Sequence, residues 1–229
     1  MRLPIVREIV ASTDPNLTPH VEREDTVTWT LSANGSFSIR TAWQALRTNG
    51  PEVFWFNMVW HRWHIPRWSF IQWLALLGRL ATKDRLRVWG LVNDTSCVLC
   101  QGGSESHSHL FFDCPFTSII WEVVKAKCGF VLPSRDLMDE IHWGLIHCKD
   151  CSIQSRLFKL CLAASVYYIW KERNGRIFQQ IGHDSTSVVR LILEEVKASM
   201  TSWRHVSRSA TNICLILEWG LSVDLLCTV

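Results

Sequence analysis

Between Cys97 and Cys114 the chain reads CVLCQGGSESHSHLFFDC, which gathers three thiols and two imidazoles into eighteen residues. Thiolate and imidazole are the donors that hold a structural Zn²⁺ ion in a tetrahedron. Cys97 and Cys100, separated by two residues, can turn both sulfurs toward one centre. His109 and Cys114, separated by four, can bring two further donors back from a short loop-to-helix segment. His107 competes with His109 for the imidazole position. His109 is preferred because it directly precedes Leu110-Phe111-Phe112, an apolar run able to anchor the returning segment. Gly102 and Gly103 fall in the connecting loop, where permissive backbone angles help the chain reverse. The expected chemistry is therefore a structural zinc site on Cys97, Cys100, His109 and Cys114. Thiol redox chemistry fits less well, since no βαβ pattern surrounds the pair and no helix starts directly after Cys97.

A second pair, Cys148-x2-Cys151, follows His142 and His147. It lies in an apolar, partly periodic segment with no further convergent ligand at short range, so buried thiols are the simpler reading.

The second feature with chemical content is basic. The net charge is only +3, but residues 60–90 hold six Lys or Arg against one Asp, while the flanking segments are each slightly acidic. Arg62, Arg67, Arg79, Lys83, Arg85 and Arg87 are interleaved there with tryptophans that include Trp63 and Trp68. Cations can neutralise phosphates and indole faces can stack on unpaired bases, so these eight residues are candidate contacts to RNA or DNA. The competing reading places the tryptophans in the core and the cations on a solvated rim.

Other chemistries lack their residues. No Asp-Asp pair exists to hold two polymerase metal ions. Past residue 180, Asp184, Glu194, Glu195, Glu218 and Asp224 show no strand alternation that would converge them as in a ribonuclease H site. Adjacent Glu194 and Glu195 are expected on a solvated helix face. No Gly-rich phosphate loop, Gly-x-Ser-x-Gly elbow or His-Glu-x2-His helix occurs.

The elements that must position these residues are mostly helical. Residues 26–39 alternate about Asn34-Gly35, which predicts a β-hairpin. Beyond it, apolar residues recur at spacings of three and four. Pro66 can open one helix, Thr82 can cap the next, and Gly90 can stop that one. A helix-like segment follows from Ser118 to Lys127, ended by Gly129 and Pro133. Residues 154–179 form the longest periodic run, with Leu157, Leu160, Cys161, Ala164 and Tyr168 on its stripe and Lys159, Glu172 and Arg173 off it. Val188 to Trp203 repeats the pattern, and the tail from Asn212 is apolar without a clear period. The fold class is mainly α: an N-terminal β-hairpin and a helical bundle with an inserted zinc knuckle. The expected domains are a linker-like segment 1–24, a zinc-binding domain 25–130 and a helical extension 131–229.

The 229 residues are 48% hydrophobic and 20% charged, a composition that is globular and not disordered. Nine cysteines cannot all pair within one chain, and reduced thiols point to an intracellular setting, nucleus or cytoplasm. The N-terminus lacks a signal-peptide apolar region, and the longest apolar stretch, Leu157 to Trp170, is too short to span a bilayer.

The order of residues is also familiar. It runs through Trp29, Asn34 to Ile39, Ala42-Trp43, Val59-Trp60, Ile65-Pro66, Phe70 and Trp73-Leu74. It continues with Arg79 to Thr82, Arg85-Leu86, Trp89-Gly90, Cys97 to Cys100, Glu105, His109 to Phe111, Cys114 and Ile120-Trp121. Over roughly residues 25–125 this resembles the zinc-binding domain downstream of the polymerase in plant LINE-type, non-LTR retrotransposon reverse transcriptases. Trp170-Lys171-Glu172-Arg173-Asn174-Gly175-Arg176-Ile177-Phe178 resembles a segment that often follows it, extending coverage to about residue 180. The resemblance implies zinc on Cys97, Cys100, His109 and Cys114, no catalytic core, a role in handling element RNA or target DNA, and an upstream polymerase domain as a partner.

Overall fold

The computed structural model describes residues 11, 27–48, 50, 52–133, 135–150, 152–203 and 206–227. Chain contacts divide into two units, residues 1–52 and 53–229. Apart from residue 11, the linker-like segment expected over 1–24 lies outside the described residues.

In the first unit the chain reverses about Asn34-Gly35, as expected. The Trp29 N–H donates to the Gly35 carbonyl at 2.7 Å, and Gly35 has a φ of 69°. Among the described residues the reversal is a run of turns closed by Ser32 and Asn34 side chains, without paired strands. Side-chain bonds to nearby backbone satisfy it locally. Helix α1, Ile39–Leu46, follows and is capped by Ser38, whose hydroxyl accepts the Thr41 N–H at 3.2 Å.

The second unit is helical. Short helix α2, Phe56–Val59, leads into α3, Pro66–Leu76, and α4, Lys83–Val88. After the cysteine loop come α5, Pro115–Lys127, α6, Leu137–His147, α7, Ile153–Asn174, α8, Ser185–Met200, and α9, Ala210–Glu218. A parallel pair, Val206–Ser207 with Leu226–Cys227, supplies the strand content.

The starts of these helices obey capping chemistry. Asp136, Ser152, Asp184 and Ser209 each accept the N–H three residues on, at 2.8 to 3.2 Å. Pro66 occupies the first turn of α3. Gly90, with φ 71°, ends α4 as its N–H donates to Arg87 and that of Leu91 to Leu86. Helix α9 escaped the periodicity because only Leu215, Ile216 and the side chain of Asn212 are buried along it.

Helix α7 is the axis of the core, with α3, α5, α6, α8 and α9 packed on it. Leu157, Leu160, Cys161, Ala164 and Tyr168 are buried as the stripe requires. Glu172 and Arg173, which fell off that stripe, are buried as well. Each is paired, and pairing is what permits a charge inside. Lys125 on α5 and Glu140 on α6 form another buried pair at 2.7 Å. No helix among the described residues is long and apolar enough to cross a membrane.

His61, after α2, is buried, and neither ring nitrogen has a partner among the described residues. Burial lowers its pKa from 6.5 to about 4, assisted by the charges of Lys159 and His64. The unfolded chain then binds a proton that the folded chain refuses, so stability falls as pH drops from 6.5 to about 4. The difference in unfolding free energy between wild type and His61→Phe should shift by up to about 3 kcal/mol across that window. Denaturant titrations at several pH values would measure it, and parallel pH profiles would contradict it.

Candidate metal centre

The cysteine loop is built as a knuckle. The Cys97 N–H donates to the Gly103 carbonyl at 2.7 Å, the Gln101 N–H returns to the Cys97 carbonyl at 2.8 Å, and Ser96 bridges Ser104 antiparallel. These bonds put the sulfurs of Cys97 and Cys100 on one side of a tight turn. The other two donors arrive on a wide single turn, His109–Asp113, whose end is fixed by the Cys114 N–H on the His109 carbonyl at 2.7 Å.

Phe112, inside that turn, has a φ of 87°, a conformation costly for a bulky L-residue. Two contacts hold it there. Its N–H donates to Thr117 Oγ1 at 3.2 Å, and its ring stacks on Trp121 with centroids 5.1 Å apart. The apolar run after His109 is therefore the anchor its composition implied, with Leu110, Phe111 and Phe112 all buried.

The four donors converge. Sγ of Cys97, Cys100 and Cys114 and a ring nitrogen of His109 all lie within 4.8 Å of one another. Cys97 Sγ is 4.0 Å from Cys114 Sγ, and Cys100 Sγ is 3.3 Å from His109 Nε2. Tetrahedral bonds of 2.0–2.3 Å give edges of roughly 3.3–3.8 Å, so the donors, up to 4.8 Å apart, would draw in by about 1 Å or less to hold a zinc ion. The thiols already compete for charge: hydrogen bonding with Cys114 holds the Cys97 thiol below its usual range, and the same contact pushes Cys114 up. A dication at the centre lets every sulfur be a thiolate. His107 points elsewhere, with Nδ1 3.2 Å from Thr82 Oγ1.

Residues 37–121 match the family model described as zinc-binding in reverse transcriptase. The matched segment contains all four donors. Over 161 residues the chain is also 27% identical to a putative ribonuclease H protein of Arabidopsis thaliana. That alignment covers 67% of this chain and 25% of the relative, so the chain spans about a quarter of the relative's length. No solved structure matches the chain.

The role of the loop glycines differs from the expectation. Neither Gly102 nor Gly103 has a positive φ; the left-handed residue of the knuckle is Gln101, at 58°. Gly103 is needed for space. A Cβ there would meet His109 Cε1 at 2.8 Å and both ring nitrogens at 3.3 Å. Gly103→Ala should therefore displace the imidazole and weaken metal binding by roughly 10–100-fold, the scale of changes just outside a ligand shell. Gly102→Ala, with its nearest atom at 3.8 Å, should be silent. Chelator competition on the two variants would decide.

The knuckle is clamped by residues far along the chain. Buried Glu105 is the hub. Its Oε1 accepts the Lys83 N–H at 2.9 Å, capping α4 in place of Thr82, and accepts from Arg173 Nη2 at 2.6 Å. Arg173 Nε adds contacts to both carboxylate oxygens at 3.1 and 3.3 Å. Arg176 Nη1 donates to the carbonyls of Val98 and Leu99, between the first two cysteines, at 3.3 and 3.2 Å. Glu172 holds Arg176 Nε at 2.8 Å. From the sequence, Glu105 and Arg176 entered only through the resemblance, and Glu172 and Arg173 also as charges off the stripe of the long helix.

The candidate nucleic-acid contacts are largely occupied. Trp68 is fully buried against Tyr168 and cannot stack on a base, which corrects that expectation: it faces α7, the side α3 must bury. Arg156 lies 3.8 Å from the centroid of Trp63 and covers it. Arg67 pairs with Glu195 at 2.8 Å, so that carboxylate is not merely solvated. Lys83 pairs with Asp94 and donates to the Ser96 carbonyl. Arg85 donates to the Gly78 and Leu80 carbonyls and packs on Trp89. Arg62, Arg79 and Arg87 remain exposed.

The second cysteine pair gathers no site. Cys151 lies outside the described residues, Cys148 is buried, His142 stacks on Phe54, and His147 stacks on Trp143.

Proposed function

We propose that this chain is a zinc-stapled, non-catalytic accessory module of a plant LINE-type retroelement reverse transcriptase, placed beside the polymerase and in contact with element RNA or target DNA. The observation that carries the reading is the convergence of four soft and borderline donors inside the matched segment. Cys97, Cys100 and Cys114 would bind through Sγ and His109 through Nε2. Zinc supplies no reaction here; with four protein donors it is a cross-link. The clamp from Glu105 to Arg173 and Arg176 supports a working module that continues past residue 121 to about His183.

The non-catalytic reading is supported by what the late acidic residues do. Asp184 caps α8, Glu195 pairs with Arg67, Glu218 pairs with Lys127, and Asp224 accepts from Ser222. They are spent separately instead of converging. This arrangement supports a reading without the ribonuclease H activity in the relative's name.

A second reading, a module that docks protein, is favoured by an apolar face on α5 and its following loop, where Ile119, Val123 and Val131 are 52%, 43% and 88% exposed. Two measurements separate the readings. Native mass spectrometry should find one zinc per chain, absent in Cys114→Ser; a fully stable chain without metal would overturn the staple. Titration with single-stranded RNA and DNA should show affinity falling steeply with salt. Undetectable binding at low salt, with co-purification of a polymerase domain, would favour docking instead.

A further inference from the structure

A groove of about 600 Å³ runs between the C-terminal end of α7 and the first turns of α8. Trp170, Phe178 and Leu191 line it, with Lys171 and Arg190 among its polar residues. Phe178 is 74% exposed on the wide turn Gly175–Gln179. That turn is pinned, because Arg176 within it reaches the Val98 and Leu99 carbonyls, Glu172 and the His183 carbonyl. A bare aromatic on a fixed support costs no ordering entropy when something stacks on it.

Among the described residues the cations around it have no close carboxylate partner: Lys171 Nζ sits 5.6 Å from the Tyr168 ring centroid, and Arg190 acts on Asp184 through its charge without an ion pair. Lys171 and Arg190 are exposed and enter no ion pair among the described residues. Glu172 is neutralised by Arg176, so the opposing charges are Glu194 on the rim and Asp184, which is occupied as a helix cap. Arg173 covers one face of Trp170, with its guanidinium carbon 4.9 Å from the ring centroid, and Trp170, half-buried, lines the groove. Asn174 Oδ1 accepts from Arg173, which orients its amide N–H groups as further donors. Aromatic faces beside cations are the two halves of single-strand recognition: stacking for unpaired bases and neutralisation for phosphates. An acidic peptide would answer the cations but leave the planar faces without planar partners.

We infer that this groove binds a single strand of RNA or DNA, with bases on Phe178 and Trp170 and phosphates on Lys171 and Arg190. The inference rests on the nucleic-acid reading above and moves the contact from the α3–α4 block to the end of α7.

The test uses the full zinc-loaded chain and a fluorescent oligo(U) or oligo(dT) strand of about 12 nucleotides, within the usual site size. Lys171→Ala with Arg190→Ala should weaken binding at low salt by about tenfold or more, and flatten the slope of log affinity against log salt by roughly 1.4. Phe178→Ala should cost about tenfold with little change in slope. Zinc content and helix content should match wild type in both. Unchanged affinity and slope in both variants would overturn the inference. If Arg79→Ala with Arg87→Ala abolishes binding instead, the strand lies on the other face: the inference falls and the nucleic-acid reading survives. If wild type binds no strand at low salt, both fall. Equal or tighter binding of polyglutamate, competing with the strand, would assign the groove to an acidic polypeptide and overturn the inference as well.

Discussion

Removing zinc from the purified chain is expected to lower its thermal midpoint by about 10 °C or more, at roughly 2–4 °C per kcal/mol for a chain this long. The reason is where the cross-link sits. Cys97 and Cys114 are 1% and 0% exposed and belong to the same core as Trp121 and Leu110. Without the metal, the thiols and the His109 ring are left as polar groups packed against one another. The turn that holds Phe112 in its costly conformation then loses the end that fixes it. Metal-binding energy is folding energy for such a loop, although the shared core extends well beyond it along α7 and the bundle should persist. Scanning calorimetry with and without a strong chelator measures this, and Cys114→Ser should reproduce the chelated curve. Coincident curves would show that the cluster holds nothing that matters for folding.

The second large effect is expected from Arg173→Ala, at about 3–5 kcal/mol, the usual result of leaving one member of a buried ion pair alone. Glu105 and Arg173 are 0% and 1% exposed in their side chains, and three nitrogen–oxygen contacts join them. The stranded carboxylate would still cap α4 through the Lys83 N–H, so part of its charge stays solvated by the helix end. Arg173→Lys should recover little, because a point charge cannot make the bidentate contact. A structural pair alone would change only stability. A clamp on the knuckle also predicts faster zinc loss to a chelator in Arg176→Ala, whose guanidinium bonds the carbonyls between Cys97 and Cys100. Stability loss without any change in zinc exchange would confine these arginines to the bundle.

The resemblance drawn from residue order agrees with the family match over residues 37–121 as far as a zinc-binding segment of reverse transcriptases, and the preference for His109 over His107 agrees with the geometry. Both were legible because ligand spacing is local: a sulfur two residues away can reach a common centre whatever the rest of the chain does. Helix starts were legible for the same reason, since a Ser or Asp needs only the N–H three residues on. The basic block was not legible in this way. Whether Trp68 meets a base or α7, and whether Arg67 meets a phosphate or Glu195 on α8, depends on residues one hundred or more positions downstream.

The sequence by itself thus determined the mainly helical class, the capped helices and the four candidate ligands, because each follows from interactions within a few residues. Tertiary structure alone decided that Gly103 yields space to an imidazole and that Glu105 caps one helix while binding another. It also decided that Lys171 on α7 and Arg190 on α8 flank one groove. Those outcomes turn on which side chains are brought together across long separations, and burial, not residue type, then dictates whether a charge is spent inside or left for a partner.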